Sequence, residues 1–194
     1  INMIKRLWDW NDQREKDGKP PLDMGLGLNT DKIVAGNIGS QKRMDYTMIG
    51  DGVNLAARLE SACKSYSAKV LISDFTFQKL RGTYQIRYID DVIVKGKTEA
   101  VGVREVLDYH TPETFPNLMD TVNHFNEGRI SFKAGDWEKG IGSFIKASRT
   151  DKTRPLFSLK YALMLYSLYL CRNQCGGVVA EMNSHDQCTG SWRC

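Results

Sequence analysis

The sequence predicts an α+β fold, in which helices are inserted between the strands of a sheet, followed by a small α-helical hairpin region. Three observations support this prediction. Short apolar segments bounded by turn residues fill roughly the first hundred residues, a pattern typical of strands. An amphipathic helical pattern follows Asp51, and the periodicity becomes wholly helical beyond residue 118.

The elements of the first part are predicted from apolar periodicity and from the turn residues that separate them. In chain order they are a helix over 1–15, strands over 24–28, 33–38 and 44–49, a helix from Asp51 to about Lys64, a strand over 70–72, a helix over 74–80, and strands over 84–89, 91–94 and 101–107. Asp51 and Asp74 are predicted to cap their helices, because an aspartate side chain accepts a hydrogen bond from the first helical turn.

The second part begins after residues 109–117, a stretch with two prolines and no periodicity that predicts a linker. Helices are predicted over 118–134, 137–148 and 156–170. Gly135 suits the end of the first of these helices, and Asp136 the N-cap of the second. The spacing of the residues across these predicted helices resembles that of a tetratricopeptide-like hairpin. An independent solenoid needs about three repeats, so a small helical appendage is favoured over a repeat array.

Composition narrows the function classes. The chain is 41% hydrophobic and 26% charged, as in ordinary soluble proteins, and its net charge of +4 is scattered, so no nucleic-acid-binding stripe is predicted. No apolar run of about 18 residues and no signal peptide are present, which favours a cytoplasmic location. The first residue is Ile1, which suggests a fragment of a longer protein whose upstream segments could tether it to a membrane.

The five cysteines do not predict a metal site. Cys63 lies in a helical pattern, where a small buried residue is the usual explanation. The other four follow residue 170 and, with His185, lack the paired spacing of zinc ligands. Residues 173–194 have no periodicity and are predicted to be disordered or non-native sequence.

The helix after Asp51 is amphipathic, at about 100° per residue. The arc predicted to face the sheet holds Leu55, Leu59, Ala62 and Cys63. The opposite arc holds Asn54, Arg58 and Ser61. Asn54 and Arg58 are four residues apart and therefore neighbours, so an amide and a guanidinium could together bind sugar and phosphate oxygens. Taken alone, such a polar pair is more often a solvated helix face.

The segment around this helix resembles the second signature of class III adenylate/guanylate cyclases. The resemblance rests on Asp45-Tyr46-Thr47, Ile49-Gly50-Asp51, Val53-Asn54-Leu55-Ala56 and Arg58-Leu59-Glu60. It continues through Gly25-Leu26-Gly27-Leu28-Asn29-Thr30, Val34-Ala35-Gly36-Asn37-Ile38-Gly39 and Val94-Lys95-Gly96-Lys97-Thr98. It implies that residues 1–108 are the C-terminal part of a ferredoxin-like βαββαβ cyclase domain. Residues 118–172 resemble the extension that follows some bacterial cyclase domains.

The resemblance also implies roles for four residues. Asn54 matches the residue that orients the ribose, and Arg58 the one that stabilises charge on the phosphate. Lys95 matches a lysine that contacts the terminal phosphates, although an exposed turn lysine is the alternative. Thr47 matches the purine-reading position and favours ATP over GTP, although threonine is also simply a good strand former.

The family's metal ligands, two aspartates that bind Mg²⁺ or Mn²⁺, lie in a first half that this sequence lacks. Asp45 and Asp51 are not expected to replace them, and the chain alone is expected to be inactive. Asp31 stands where the family commonly has glycine, which predicts a modest cost if its φ is positive. Family active sites form between two subunits, so a homodimer that binds ATP is expected.

Three functions are therefore compared. The first is a fragment of an adenylate cyclase that converts ATP to 3′,5′-cyclic AMP and pyrophosphate. The alternatives are a non-catalytic cyclase-like scaffold whose helical tail binds a protein partner, and a guanylate cyclase. A dinucleotide-binding fold is set aside, because no G-x-G-x-x-G sequence follows a strand and opens a helix.

Overall fold

The computed structural model describes residues 1–40, 43–93, 100–151, 162, 163 and 166. The chain divides into two compact units, Ile1–Tyr109 and His110–Cys194. Among the described residues, no helix has both the length and the apolar character needed to cross a bilayer.

The first unit alternates helices and strands, as the periodicity predicts. Its elements are α1 (Asn2–Lys16), β1 (Leu26–Leu28), β2 (Val34–Ser40), β3 (Arg43–Ile49), α2 (Asp51–Ser65), β4 (Val70–Ser73), α3 (Asp74–Phe77), β5 (Ile86–Ile93) and β6 (Ala100–Val106). Four of the strands form a sheet in the order β1-β4-β6-β5. β1 pairs with β4 in parallel, whereas β4 with β6 and β5 with β6 are antiparallel. The predicted α+β class is confirmed.

β2 and β3 form a separate antiparallel hairpin. Its register is continuous from Val34 opposite Ile49 to Ser40 opposite Arg43. Large apolar side chains on it are exposed, including Val34 at 68% and Tyr46 at 75%. The hairpin therefore contributes little to the core of the first unit and presents a largely solvent-facing surface.

The core of the first unit forms where α1 meets the sheet. Ile4 of α1 is fully buried with Val70, Ile72 and Val106 of the strands. The ring of Trp8 packs edge-on against Tyr109, with the centroids 5.6 Å apart. Burying each such aliphatic side chain contributes about 1.5–3 kcal/mol, which holds the helix on the sheet.

β5 corrects the sequence prediction of two strands over 84–89 and 91–94. It is one strand, Ile86–Ile93, whose pairing with β6 shifts between Tyr88 and Asp90. Ile89 is the extra residue at this irregularity and is 1% exposed. The bulge places Ile89 and Asp90 opposite a single residue of β6, and such an interruption of the pairing resembles a strand boundary in the sequence.

Two predicted helix caps are wrong. Asp51 lies within the first turn of α2, and Gly50 occupies the N-cap without a side-chain bond. Asp74 likewise begins α3, whose N-cap is Ser73 with its side chain accepting from the Thr76 N–H at 3.2 Å. Both aspartates still lie at a helix N-terminus, where a negative charge is favourable.

The second unit is built on a helical hairpin of α4 (Leu118–Lys133) and α5 (Trp137–Thr150). Gly135 has φ of 77° just after α4, and the Asp136 side chain accepts from the Lys139 N–H, so both predicted end signals are confirmed. Phe125 and Phe144 pack edge-on with centroids 5.2 Å apart. The predicted helix over 156–170 lies mostly, and the predicted tail over 173–194 entirely, outside the described residues.

Candidate active site

α2 is seated on the sheet through the apolar arc that the sequence predicts. Leu55, Leu59 and Cys63 are each at most 3% exposed, whereas Ala62 is half-buried. The Cys63 thiol lies 3.4 Å from the Leu59 carbonyl oxygen. Burial raises the pKa of this thiol, as expected for a side chain inside the core.

Glycines in β1 let α2 approach the strand closely. A Cβ added at Gly27 would lie 2.2 Å from the Glu60 nitrogen and 2.4 Å from the Ala56 carbonyl oxygen. One added at Gly25 would lie 2.8 Å from the Cys63 Cβ. Any larger residue at Gly27 would therefore have to push the helix backbone away, so the position of α2 depends on this glycine.

Asn29 fixes the first turn of α2. Its side-chain amide donates to the Gly52 carbonyl at 3.1 Å, and its amide oxygen accepts from the Ser73 hydroxyl at 2.6 Å. Ser73 is fully buried at the end of β4. One side chain thus connects β1, β4 and α2, a positioning role that the sequence did not assign to Asn29.

Asn54 and Arg58 project from the opposite side of α2. Both side chains are exposed, and neither forms a hydrogen bond or ion pair with another residue in the described part of the chain. The Asn54 backbone N–H bonds to the Gly50 carbonyl at 3.4 Å, which ties it to the start of the helix. An amide and a guanidinium are therefore held one turn apart on a fixed helix, with their hydrogen-bonding groups available to a ligand.

Thr47 lies on β3, which leads into α2 through Gly50 alone. It pairs with Gly36 of β2, and its side chain is exposed. β3 and α2 are consecutive elements, so the chain connects Thr47 to the Asn54–Arg58 pair by a single-residue link. Lys95, the fourth predicted site residue, lies outside the described residues.

The described residues offer no metal site. No group of three or more His, Cys, Asp or Glu side chains among them could hold an ion. Asp45 and Asp51 are both exposed, on the hairpin and in the first turn of α2 respectively. A Mg²⁺ or Mn²⁺ ion therefore does not fit the residues present. The φ of Asp31 is not positive, so the predicted backbone cost at that position does not arise.

Comparison with known proteins gives one family match. The sequence model described as "Adenylate and Guanylate cyclase catalytic domain" matches residues 1–111. The matched region contains α1 to β6, and hence Thr47, Asn54 and Arg58.

Two curated relatives are adenylate cyclases by name. The terminal-differentiation-specific adenylate cyclase of Dictyostelium discoideum is 36% identical over 127 residues, covering 63% of this chain and 6% of that protein. The adenylate cyclase of Anabaena cylindrica is 37% identical over 113 residues, covering 55% of this chain and 22% of that protein. The chain thus spans less than a quarter of the length of either relative.

Among solved structures, the adenylyl cyclase CyaB from P. aeruginosa is 35% identical with a TM-score of 0.48. The match covers 56% of this chain and 55% of that one.

Proposed function

The chain belongs to the adenylate and guanylate cyclase catalytic domain family, and from that membership we propose that it supplies one side of an adenylate cyclase active site. The reaction is the conversion of ATP to 3′,5′-cyclic AMP and pyrophosphate. The observation that carries the proposal is the pair of exposed side chains of Asn54 and Arg58, which have no partner among the described residues and lie one turn apart on a helix fixed to the sheet.

In this proposal Arg58 stabilises the transition state. The ribose 3′-oxygen forms a bond to the α-phosphorus, the bond from that phosphorus to the pyrophosphate oxygen breaks, and the 3′-hydroxyl proton is released to solvent. Negative charge spreads over the phosphate oxygens during this displacement. A guanidinium carried by a helix that is fixed to the sheet can stabilise that charge from a position set before the reaction begins.

Asn54 holds the ribose so that its 3′-oxygen faces the phosphorus. The planar amide can donate to one ring or hydroxyl oxygen and accept from another hydroxyl. Correct orientation of two reacting groups within one substrate lowers the barrier substantially. Thr47 reads the purine edge: its hydroxyl accepts from the adenine amino group, which favours ATP. Lys95 is proposed to contact the terminal phosphates on the strength of the sequence resemblance alone.

The proposal requires a second surface. The described residues hold no site for Mg²⁺ or Mn²⁺. In this family such ions stabilise the attacking and leaving oxygens. We therefore assign the ions and their ligands to the opposite side of the active site. The exposed apolar side chains of the β2–β3 hairpin support a second cyclase subunit as the partner. The expected homodimer rests on this surface, with the ions and their ligands lying outside the described residues.

The remaining parts of the chain keep the roles expected from the sequence. Residues 109–117 are proposed to link the cyclase part to the helical extension over 118–172. A protein partner that binds through this extension remains a prediction, as does its likeness to tetratricopeptide repeats.

A complementation assay tests the proposal. The 194-residue chain is mixed with the cyclase domain of the Anabaena cylindrica relative, in which the residues matching Asn54 and Arg58 are both alanine. The chain alone is expected to form no cyclic AMP from Mn²⁺ and ATP. The mixture is expected to form it, because the intact Asn54–Arg58 side then faces the relative's intact side.

The variants make the assay specific. Arg58→Ala in the chain is expected to lower the complemented rate by about 10²–10³-fold, the loss of one charge-stabilising donor. Lys64→Ala removes another exposed cation of α2 and is expected to leave the rate unchanged. The proposal is wrong if the wild-type chain restores no activity, or if Arg58→Ala and Lys64→Ala behave alike. Preference for GTP over ATP would instead support the guanylate cyclase alternative.

A further inference from the structure

Gly36 is a glycine that the fold does not need. It lies inside β2, in a hairpin whose register has no bulge, and its φ is not in the left-handed region. A Cβ added to it would meet no atom of the described residues within 4 Å. Glycine inside a strand costs about 0.5–1 kcal/mol relative to alanine, so this position carries a cost with no local structural reason.

The other central glycines of the first unit do have local reasons. Gly27 allows α2 to contact β1, and Gly52 lies where a Cβ would be 2.4 Å from the Asp31 Cβ. Gly36 differs because its open side faces solvent rather than a packed element. A strand glycine without a bulge or a close neighbour is typical of a place where a ligand or another backbone approaches.

The neighbours of Gly36 indicate which kind of ligand fits. Directly paired residues in an antiparallel hairpin point to the same face, so the gap at Gly36 lies beside the Thr47 hydroxyl. Val34 and Ile49 are the next pair on this face, 68% and 53% exposed. On the other side of Thr47 the same face carries the exposed Asp45. The strip therefore combines a bare backbone floor, an apolar pair on one side, and a hydroxyl and a carboxylate at the edge. That combination suits a flat heterocycle that contacts the backbone with its face and the hydroxyl with its edge.

We propose that Gly36 is a specificity-determining residue, whose missing side chain opens the space beside Thr47 that the purine base of the substrate occupies. The inference rests on the proposed function and names a residue which that proposal does not use. A side chain at position 36 fills the space and excludes the base, while the triphosphate contacts of Arg58 remain.

Kinetic measurements on the complemented mixture, in which both sides of the site are present, test this inference. Gly36→Val places a strand-compatible side chain in the gap, and Gly142→Ala is the matched control, because Gly142 also has nothing within 4 Å and no positive φ. Gly36→Val is expected to raise the KM for ATP roughly tenfold or more, the effect of one apolar group that obstructs a substrate pocket. The inhibition constant of inorganic triphosphate, which has no base, is expected to stay unchanged. Gly142→Ala is expected to change neither.

Folding is checked separately by urea denaturation. Gly36→Val and Gly36→Ala are expected to unfold at or above the wild-type midpoint, since the backbone conformation accepts a side chain and no neighbour is displaced. A ¹⁵N spectrum of the labelled wild-type chain, mixed with the unlabelled relative, adds a direct readout. The Gly36 and Thr47 amide signals are expected to shift with ATP and not with triphosphate.

The outcomes separate the two proposals. If Arg58→Ala lowers the complemented rate but Gly36→Val leaves the KM for ATP unchanged, the inference about Gly36 is overturned and the proposed function stands. If the wild-type chain restores no activity to the relative, the proposed function fails as well. If Gly36→Val lowers self-association in sedimentation while the KM for ATP is unchanged, the gap receives the backbone of a second copy, and the purine assignment is wrong.

Discussion

Replacing Gly27 with alanine tests whether the position of α2 depends on the bare backbone of β1. The added Cβ would lie 2.2 Å from the Glu60 nitrogen and 2.4 Å from the Ala56 carbonyl oxygen. Both contacts are with helix backbone, so no flexible side chain can turn away. Restoring an ordinary contact of 3.4 Å from 2.2 Å requires α2 to move by about 1.2 Å.

The magnitude follows from this displacement. Overpacking of a closed contact costs typically ~1–3 kcal/mol and occasionally more. The gain from a less flexible unfolded chain, about 0.4–1 kcal/mol, offsets only part of it. We therefore expect Gly27→Ala to lower the free energy of unfolding by a net of roughly 0.5–2.5 kcal/mol. Misplacing a reacting group by about 1 Å can also cost roughly 10²-fold in rate, so the complemented cyclase activity should fall as well.

Urea denaturation followed by circular dichroism measures the first effect, and the complementation assay the second. Gly142→Ala is the control, because a Cβ there meets nothing within 4 Å, and it should be neutral or stabilising. If Gly27→Ala unfolds at the same urea concentration as the wild-type chain, the helix is not held by this contact. The account of how Asn54 and Arg58 are positioned would then be wrong.

Two further predictions concern buried groups. Arg87 and Glu105 form a fully buried ion pair at 2.6 Å. Arg87→Met should lower the free energy of unfolding by ~3–5 kcal/mol, because it leaves the buried charge of Glu105 without its cation. The double variant Arg87→Met, Glu105→Leu should recover most of this loss in urea titrations, and no recovery would contradict the argument. Cys63 is 2% exposed with a pKa raised by burial, so at pH 8 iodoacetamide should label it only after unfolding, as read by peptide mass spectrometry. The same raised pKa means that the native state keeps the thiol proton while the unfolded state loses it, so the contribution of this thiol to stability should fall as pH rises above the ordinary thiol range.

Elements with a clear period were predictable from the sequence. The Leu55, Leu59 and Cys63 arc identified the buried face of α2, and the same period placed Asn54 and Arg58 on the exposed face. β5 was predicted as two strands, because the bulge between Tyr88 and Asp90 breaks the two-residue alternation. The sequence pattern records which way side chains point and cannot distinguish a bulge from the end of a strand.

The residues that position the site were not predictable in the same way. Asn29 bonds to groups 23 and 44 residues away in the chain, at Gly52 and Ser73. Gly27 is required only because α2 packs directly over it. Both were recognised as part of a resembling motif, but their roles depend on contacts between distant segments, which no local pattern records. The proposed role of Gly36 is not recorded by contacts within the chain at all, because it depends on the purine base of a bound substrate.

Asn29 and Gly27, which position α2, help to decide whether its exposed polar face is catalytic or only solvated. An exposed polar face on α2 fits both readings, since charged side chains on a surface helix need no partner. A solvated face, however, tolerates small movements of its helix, whereas a transition-state contact does not. α2 is held at its start by the Asn29 hydrogen bonds and along its length by the close approach to Gly27. Each restraint fixes the height of the helix above the sheet, and so fixes where the Arg58 guanidinium projects. These restraints fix the helix from which the Arg58 side chain projects, as a transition-state contact requires, and for that reason the enzyme is proposed over the scaffold.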